Sequence, residues 1–113
     1  VWAAGGVAAE FPVISLGEMF LKPTAMLYRN LMSMDVEEMI RANPLDSVVL
    51  LGACDKTIPA MLMGAASADV PAIVVPGGPM LRGTWQGKTL GSGTDGRKLF
   101  DLYRENKLSE DDM

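Results

Sequence analysis

Two short apolar runs, with one helix-length segment between them, constrain this chain more than any other feature. Ser47-Val-Val-Leu-Leu51 is bounded by Asp46 and Gly52, and Ala72-Ile-Val-Val75 lies between Pro71 and Pro76. Val-rich runs without polar alternation suit strands buried on both faces of a parallel sheet. Between them, Thr57 can cap a helix that carries Pro59 in its first turn and continues through Ala60-Met-Leu-Met63 to about Ala68. The pattern predicts a strand-helix-strand unit with a parallel, right-handed crossover. The expected fold class is therefore α/β, a parallel strand-helix-strand core with flanking helices.

The flanks are less regular. Glu10–Ser15 reads as a short extended segment, made an edge or irregular strand by Pro12, that delivers Leu16-Gly17-Glu18 into a loop. From Thr24, the residues Met26, Leu27, Leu31 and Met34 recur at near-helical spacing. Asp35 with Glu38 forms a capping box for a second helix ending near Asn43-Pro44, so two consecutive helices are expected over 24–42. Seven glycines in 76–96 argue against regular structure there. A last helix is expected over about 95–105, with a new start at Ser109. The methionines are read as packing residues.

With 113 residues and 49% hydrophobic content, the chain can bury one core but not two ordinary ones. Val1 opens in an apolar stretch and Met113 closes an acidic run, so the expectation is an internal fragment of a longer domain. Ten Lys/Arg against fourteen Asp/Glu leave a net charge of -4, with basic residues scattered rather than gathered in a phosphate-tracking stripe. Nucleic acid is not an expected partner. The longest apolar runs fall well short of the roughly 20 residues a bilayer requires, and no signal peptide is visible. A single cysteine excludes an internal disulfide and suits a reduced, cytoplasmic setting.

Ligands of open parallel sheets sit beyond the carboxyl ends of the strands. The loops in that place are Gly52-Ala-Cys-Asp-Lys56 and Pro76-Gly-Gly-Pro79. Cys54 there faces the start of the following helix, whose free N–H groups favour a thiolate; it is equally readable as a small buried residue at a strand end. Asp55 and Lys56 can pair with each other or with solvent, or hold a ligand. A magnesium site would need a second acid beside Asp55, and the loop residue Glu18 is the natural donor, although it can also be an exposed loop acid. Gly91-Ser-Gly-Thr-Asp-Gly96 matches the dinucleotide pattern in letters, but the polar Thr84–Leu90 before it is no buried strand. A flexible loop that packs on or covers the active site is the preferred reading. The absence of histidine removes a Cys-His nucleophilic pair and His-bound zinc from this stretch.

Taken together, certain blocks resemble a known family, the dihydroxy-acid and sugar-acid dehydratases. They are Gly5-Gly6 with Glu10-Phe-Pro, Ser15-Leu-Gly-Glu18, Lys22-Pro-Thr-Ala-Met-Leu-Tyr-Arg-Asn30, Cys54-Asp-Lys-Thr57 with Pro59, and Pro71-Ala-Ile with Gly77-Gly-Pro-Met80. The Lys22–Asn30 block and Gly91-Ser-Gly-Thr94 look like the sugar-acid branch, arabinonate or xylonate dehydratases, rather than the enzymes of branched-chain amino-acid synthesis. The resemblance implies that Cys54 ligates an iron-sulfur cluster, of two or four irons. It implies that Asp55 and Glu18 bind magnesium, and that Lys56 joins the same magnesium as a carbamylated lysine. It further implies two more cluster cysteines, a C-terminal domain with another acidic ligand and a base serine, a homo-oligomeric parent and a small sugar-acid substrate. Residues 1–113 would then be a piece of the N-terminal domain, inactive alone. A non-catalytic α/β binding module, with Cys54 merely packed, is the competing class; a nicotinamide-dependent oxidoreductase is a third.

Overall fold

The computed structural model describes residues 1–18, 21–91 and 93–112. It divides into two compact units, Val1–Leu16 with Thr24–Gly78, and Gly17–Pro23 with Pro79–Met113. The expected packing of Met19 and Met113, and Ser92 of the glycine loop, lie outside the described residues.

In the first unit a 3-10 turn, Ala25–Tyr28, runs directly into helix α1, Arg29–Ala42. Thr24 caps the turn by accepting from the Met26 N–H at 3.2 Å. Strand β1, Val48–Gly52, leads into helix α2, Thr57–Ala68, and strand β2, Ala72–Pro76, pairs with β1 in parallel register, Val48 opposite Ala72 and Gly52 opposite Pro76. The strand-helix-strand expectation is thereby met. The left-handed Asp69 ends α2, a conformation an Asp tolerates, and turns the chain back towards β2.

The core lies between the helices and one face of the sheet. Val36 and Ile40 of α1, Val48 and Leu50 of β1, and Met61 and Ala65 of α2 are buried together, with Phe11, Val13 and Val74 packed against them. Gly64 is what allows the helices to approach. A Cβ there would stand 2.7 Å from both the Ser33 carbonyl oxygen and the Val36 Cβ, distances a well-packed interior does not accommodate without backbone movement.

Several expectations need correction. Only one face of the sheet is covered: Val49, Leu51, Ile73 and Val75, which alternate with the core residues, are 52%, 70%, 60% and 46% exposed. Glu10–Ser15 joins no ladder and lies as irregular chain. Asp35 caps no second helix, because α1 passes through it unbroken. Its carboxylate instead accepts the Ile14 N–H at 2.8 Å, tying the irregular segment to α1. Thr57 is the first residue of α2 and Lys56 occupies the cap position, without a side-chain capping bond. Of the methionines, Met32 and Met61 are buried as packing residues, whereas Met34 and Met80 are exposed.

The second unit holds an antiparallel hairpin, β3 Gly83–Trp85 and β4 Lys88–Leu90, where glycine content argued against regular structure. Gln86 and Gly87 both have positive φ, 48° and 74°, the backbone a two-residue hairpin turn of the right twist requires. Helix α3, Thr94–Arg104, follows, within a residue of its expected limits. Ser109 does start a short turn, donating its N–H at 3.2 Å and its hydroxyl at 2.6 Å to Asp112 Oδ2. No described residue of this unit is buried. Among the described residues, no helix is long and apolar enough to cross a membrane.

Candidate metal centre

The carboxyl ends of β1 and β2 emerge side by side because Gly52, at the end of β1, and Gly77, just after β2, allow close approach. The Gly77 N–H continues the pairing by donating to the Gly52 carbonyl at 2.8 Å. A Cβ on Gly77 would reach 2.9 Å from the Ala53 Cβ, and one on Gly52 would overlap the Met61 methyl. The two loops expected to frame a site are thus held together by backbone contact at the end of the sheet, where α/β folds bind ligands.

Cys54, Asp55 and Lys56 fill the turn between β1 and α2. The first α2 hydrogen bonds run from Ile58 N–H to the Cys54 carbonyl at 3.0 Å and from Ala60 N–H to the Lys56 carbonyl at 3.2 Å, so the turn is fixed to the helix start. The Cys54 thiol is exposed, against the packed-cysteine alternative. It donates to Asp55 Oδ1 at 3.3 Å, and the Lys56 ammonium donates to the same oxygen at 3.0 Å. Lys56 is the inward partner, its side chain 11% exposed against 76% for Asp55. The Lys56 hydrogen bond first, and the Cys54 hydrogen bond after it, hold the Asp55 carboxyl below the ordinary aspartate range. The turn therefore presents an ionised Asp55 carboxylate to which both neighbouring side chains donate.

Glu18, the fourth candidate, belongs to the second unit. Its main-chain oxygen accepts from Arg97 Nη2 at 2.6 Å, and its Cγ lies 3.7 Å from where a Cβ on Gly93 would stand. The structure therefore groups Cys54, Asp55 and Lys56, and describes Glu18 with the unit of α3. Among the described residues, no three Cys, Asp or Glu side chains gather into a complete metal site. The Gly91–Gly96 stretch opens α3 after an exposed antiparallel strand. The buried parallel strand a dinucleotide loop needs is not there. Sequence reading passed over Arg97, although a cation in a first helical turn, set against the dipole, was a usable signal.

Comparison with known proteins decides the relationship. The family model described as dihydroxy-acid/6-phosphogluconate dehydratase N-terminal matches residues 1–113. The chain belongs to this family. An L-arabonate dehydratase of Azospirillum brasilense is 62% identical over 110 residues, 97% of this chain and 18% of that protein. A 6-deoxy-6-sulfo-D-gluconate dehydratase of Pseudomonas putida is 54% identical over 104 residues, 92% of this chain and 18% of that protein. A dihydroxy-acid dehydratase of Methanothermobacter thermautotrophicus is 46% identical over 122 residues, 98% of this chain and 21% of that protein. The chain thus spans about a fifth of the length of the relatives it matches. Within the dehydratase family it is more similar to these two sugar-acid dehydratases than to that dihydroxy-acid dehydratase.

The donor chemistry of the turn fits the metals this dehydratase family implies, as part of a ligand set. A thiol is a soft ligand suited to iron-sulfur iron, and a carboxylate a hard one suited to magnesium. Cys54 and Asp55 present one of each on adjacent residues, the thiol exposed and the carboxylate ionised. Lys56 as an ammonium is no ligand; only its carbamate, an oxygen anion, would be.

Proposed function

We propose that this chain supplies part of the metal centre of a sugar-acid hydro-lyase, and that residues 1–113 are a segment of its N-terminal domain. The observation that carries the reading is the grouping of Cys54, Asp55 and Lys56 around one carboxylate oxygen at the carboxyl end of a parallel strand pair. The identities to an L-arabonate and a 6-deoxy-6-sulfo-D-gluconate dehydratase support a polyhydroxy acid as substrate class. The reaction removes the C2 proton and the C3 hydroxyl of an aldonic acid as water. The resulting enol tautomerises to a 2-keto-3-deoxy acid.

In this reading Cys54 holds an iron-sulfur cluster, and Asp55, Glu18 and carbamylated Lys56 hold magnesium. When bound, these groups supply Lewis acidity towards the carboxylate and hydroxyl oxygens of the substrate, where negative charge develops. The chain's own contribution is preparation. Before either group is bound, Lys56 and Cys54 both donate to Oδ1, which lowers the Asp55 carboxyl pKa and fixes the direction of its carboxylate. Carbamylation of Lys56 would add carbon dioxide to the amine with loss of protons, turning a donor into an acceptor beside Asp55. Cys54 is the chain's one cysteine, so any further cluster ligand, like the base serine the resemblance implies, comes from outside these residues. A reduced, cytoplasmic setting suits the exposed thiol.

The test uses the complete natural polypeptide that carries this sequence, prepared without oxygen. The expected result is 2-keto acid formation from aldonates such as arabinonate or xylonate, with less formed from a branched 2,3-dihydroxy acid. Cys54→Ser should lower iron content and activity together. Full activity in iron-free protein would sink the reading; a preference for the branched acid would move the chain to the amino-acid branch of the family.

A further inference from the structure

We propose that Arg97 is a positioning residue that sets the main chain around Glu18, and through it the magnesium ligand assigned above; the inference rests on that assignment. Arg97 lies in the first turn of α3, a place where helices favour acids over cations. Its guanidinium reaches back to the segment Gly17–Pro23 of the same unit. Nη2 donates to the Glu18 carbonyl at 2.6 Å and to the Leu21 carbonyl at 3.3 Å, and Nη1 donates to the Pro23 carbonyl at 3.4 Å. Three main-chain oxygens within six residues of each other converge on one rigid, planar group.

Two further observations point the same way. Arg97 Nε is buried without a hydrogen-bond partner among the described residues. A buried donor left unmatched is costly, so the side chain is placed to serve the three carbonyls rather than to satisfy itself. The Glu18 Cγ lies 3.7 Å from where a Cβ added at Gly93 would stand, so the stem of Glu18 lies beside the residue that precedes α3. The first turn of α3 thus fixes, through Arg97, the backbone from which Glu18 projects. A lysine ammonium is a point charge and lacks the fork that spans several oxygens.

The test measures magnesium affinity in the complete natural polypeptide, by displacement of Mn2+ followed by electron paramagnetic resonance, together with iron content and amide exchange at residues 18, 21 and 22. Arg97→Met should weaken magnesium binding roughly 10- to 100-fold, the range for residues that orient metal ligands, speed exchange at 18, 21 and 22 and leave iron content unchanged. Arg97→Lys, which keeps the charge and the helix, should fall between Met and wild type and decides the matter should the Met variant not fold. Glu18→Gln is the control and should weaken magnesium at least as much. If Glu18→Gln weakens magnesium and neither Arg97 variant does, the positioning role is overturned and the magnesium assignment stands. If Glu18→Gln has no effect, the assignment and the inference fall together. Equal loss of iron and magnesium in the Arg97 variants would reduce Arg97 to a general structural role and overturn the proposal.

Discussion

The two units of this chain are held together in different ways. In the first, buried side chains decide the structure: Met32, Val36, Ile40, Val48, Leu50 and Met61 are all under 5% exposed, and Gly64 lets two helices meet. In the second no described residue is buried, and its order comes from a two-residue turn, the Gly91 N–H bound to the Asp95 carboxylate at the start of α3, and the tethers of Arg97. A core tolerates surface change and resists cavities; a tethered unit does the reverse. The turn carrying Cys54, Asp55 and Lys56 stands on the cored unit, whereas Glu18 depends on the tethered one.

The sharpest way to break this contrast is a cavity. Ile40→Ala, at a 3% exposed position, should cost about 2–5 kcal/mol. The matching truncation Leu102→Ala on α3, 36% exposed, should cost well under half as much. Urea midpoints of the two variants of the natural polypeptide compare them directly, and equal losses would mean that α3 is cored after all. A smaller effect is expected at the hairpin. Gly87 has φ of 74°, so Gly87→Ala should cost about 1–2 kcal/mol and raise amide exchange in β3 and β4 while leaving α2 protected.

The smallest effect concerns pH. The Gly91 N–H, donating to Asp95 Oδ2 at 2.7 Å, and then Lys98 hold the Asp95 carboxyl below its ordinary range. A depressed folded pKa means that the contribution is complete above the unfolded value of about 3.9 and is lost as pH falls through the lower folded value. Protection of the Gly91 amide should therefore persist at pH 5 and fade only in stronger acid. Asp95→Asn should remove that dependence, and an unchanged profile in the variant would show that the carboxylate is not responsible.

How much of this was legible in the sequence follows from the same contrast. The strand-helix-strand core could be read because hydrophobic runs, Pro59 and the turn after Ala68 all agree locally. The single α1 could not, since Asp35 and Glu38 form a sound local capping pair until the distant Ile14 N–H claims the Asp35 carboxylate. The hairpin was hidden because Gln86-Gly87 departs from the Asn-Gly or Asp-Gly that ordinarily signals such a turn. At the site, topology alone placed Cys54, Asp55 and Lys56 at the end of a strand. The bond from Arg97 to Glu18 spans 79 positions, and no periodicity reports a contact of that range.

The uncovered side of the β1–β2 sheet has a practical consequence. Val49, Leu51, Ile73 and Val75 form a row of aliphatic side chains facing outward, on a sheet of two strands in which each strand is also an edge. Such a surface offers both adhesive side chains and unpaired backbone groups to another copy of itself. Produced as 113 residues alone, the chain should therefore be poorly soluble and prone to stacking. Val49→Lys with Ile73→Glu, an opposite-charge pair at partner positions of the two strands, should relieve this without touching the helix-facing core, which makes solubility an obstacle to working with this segment in isolation.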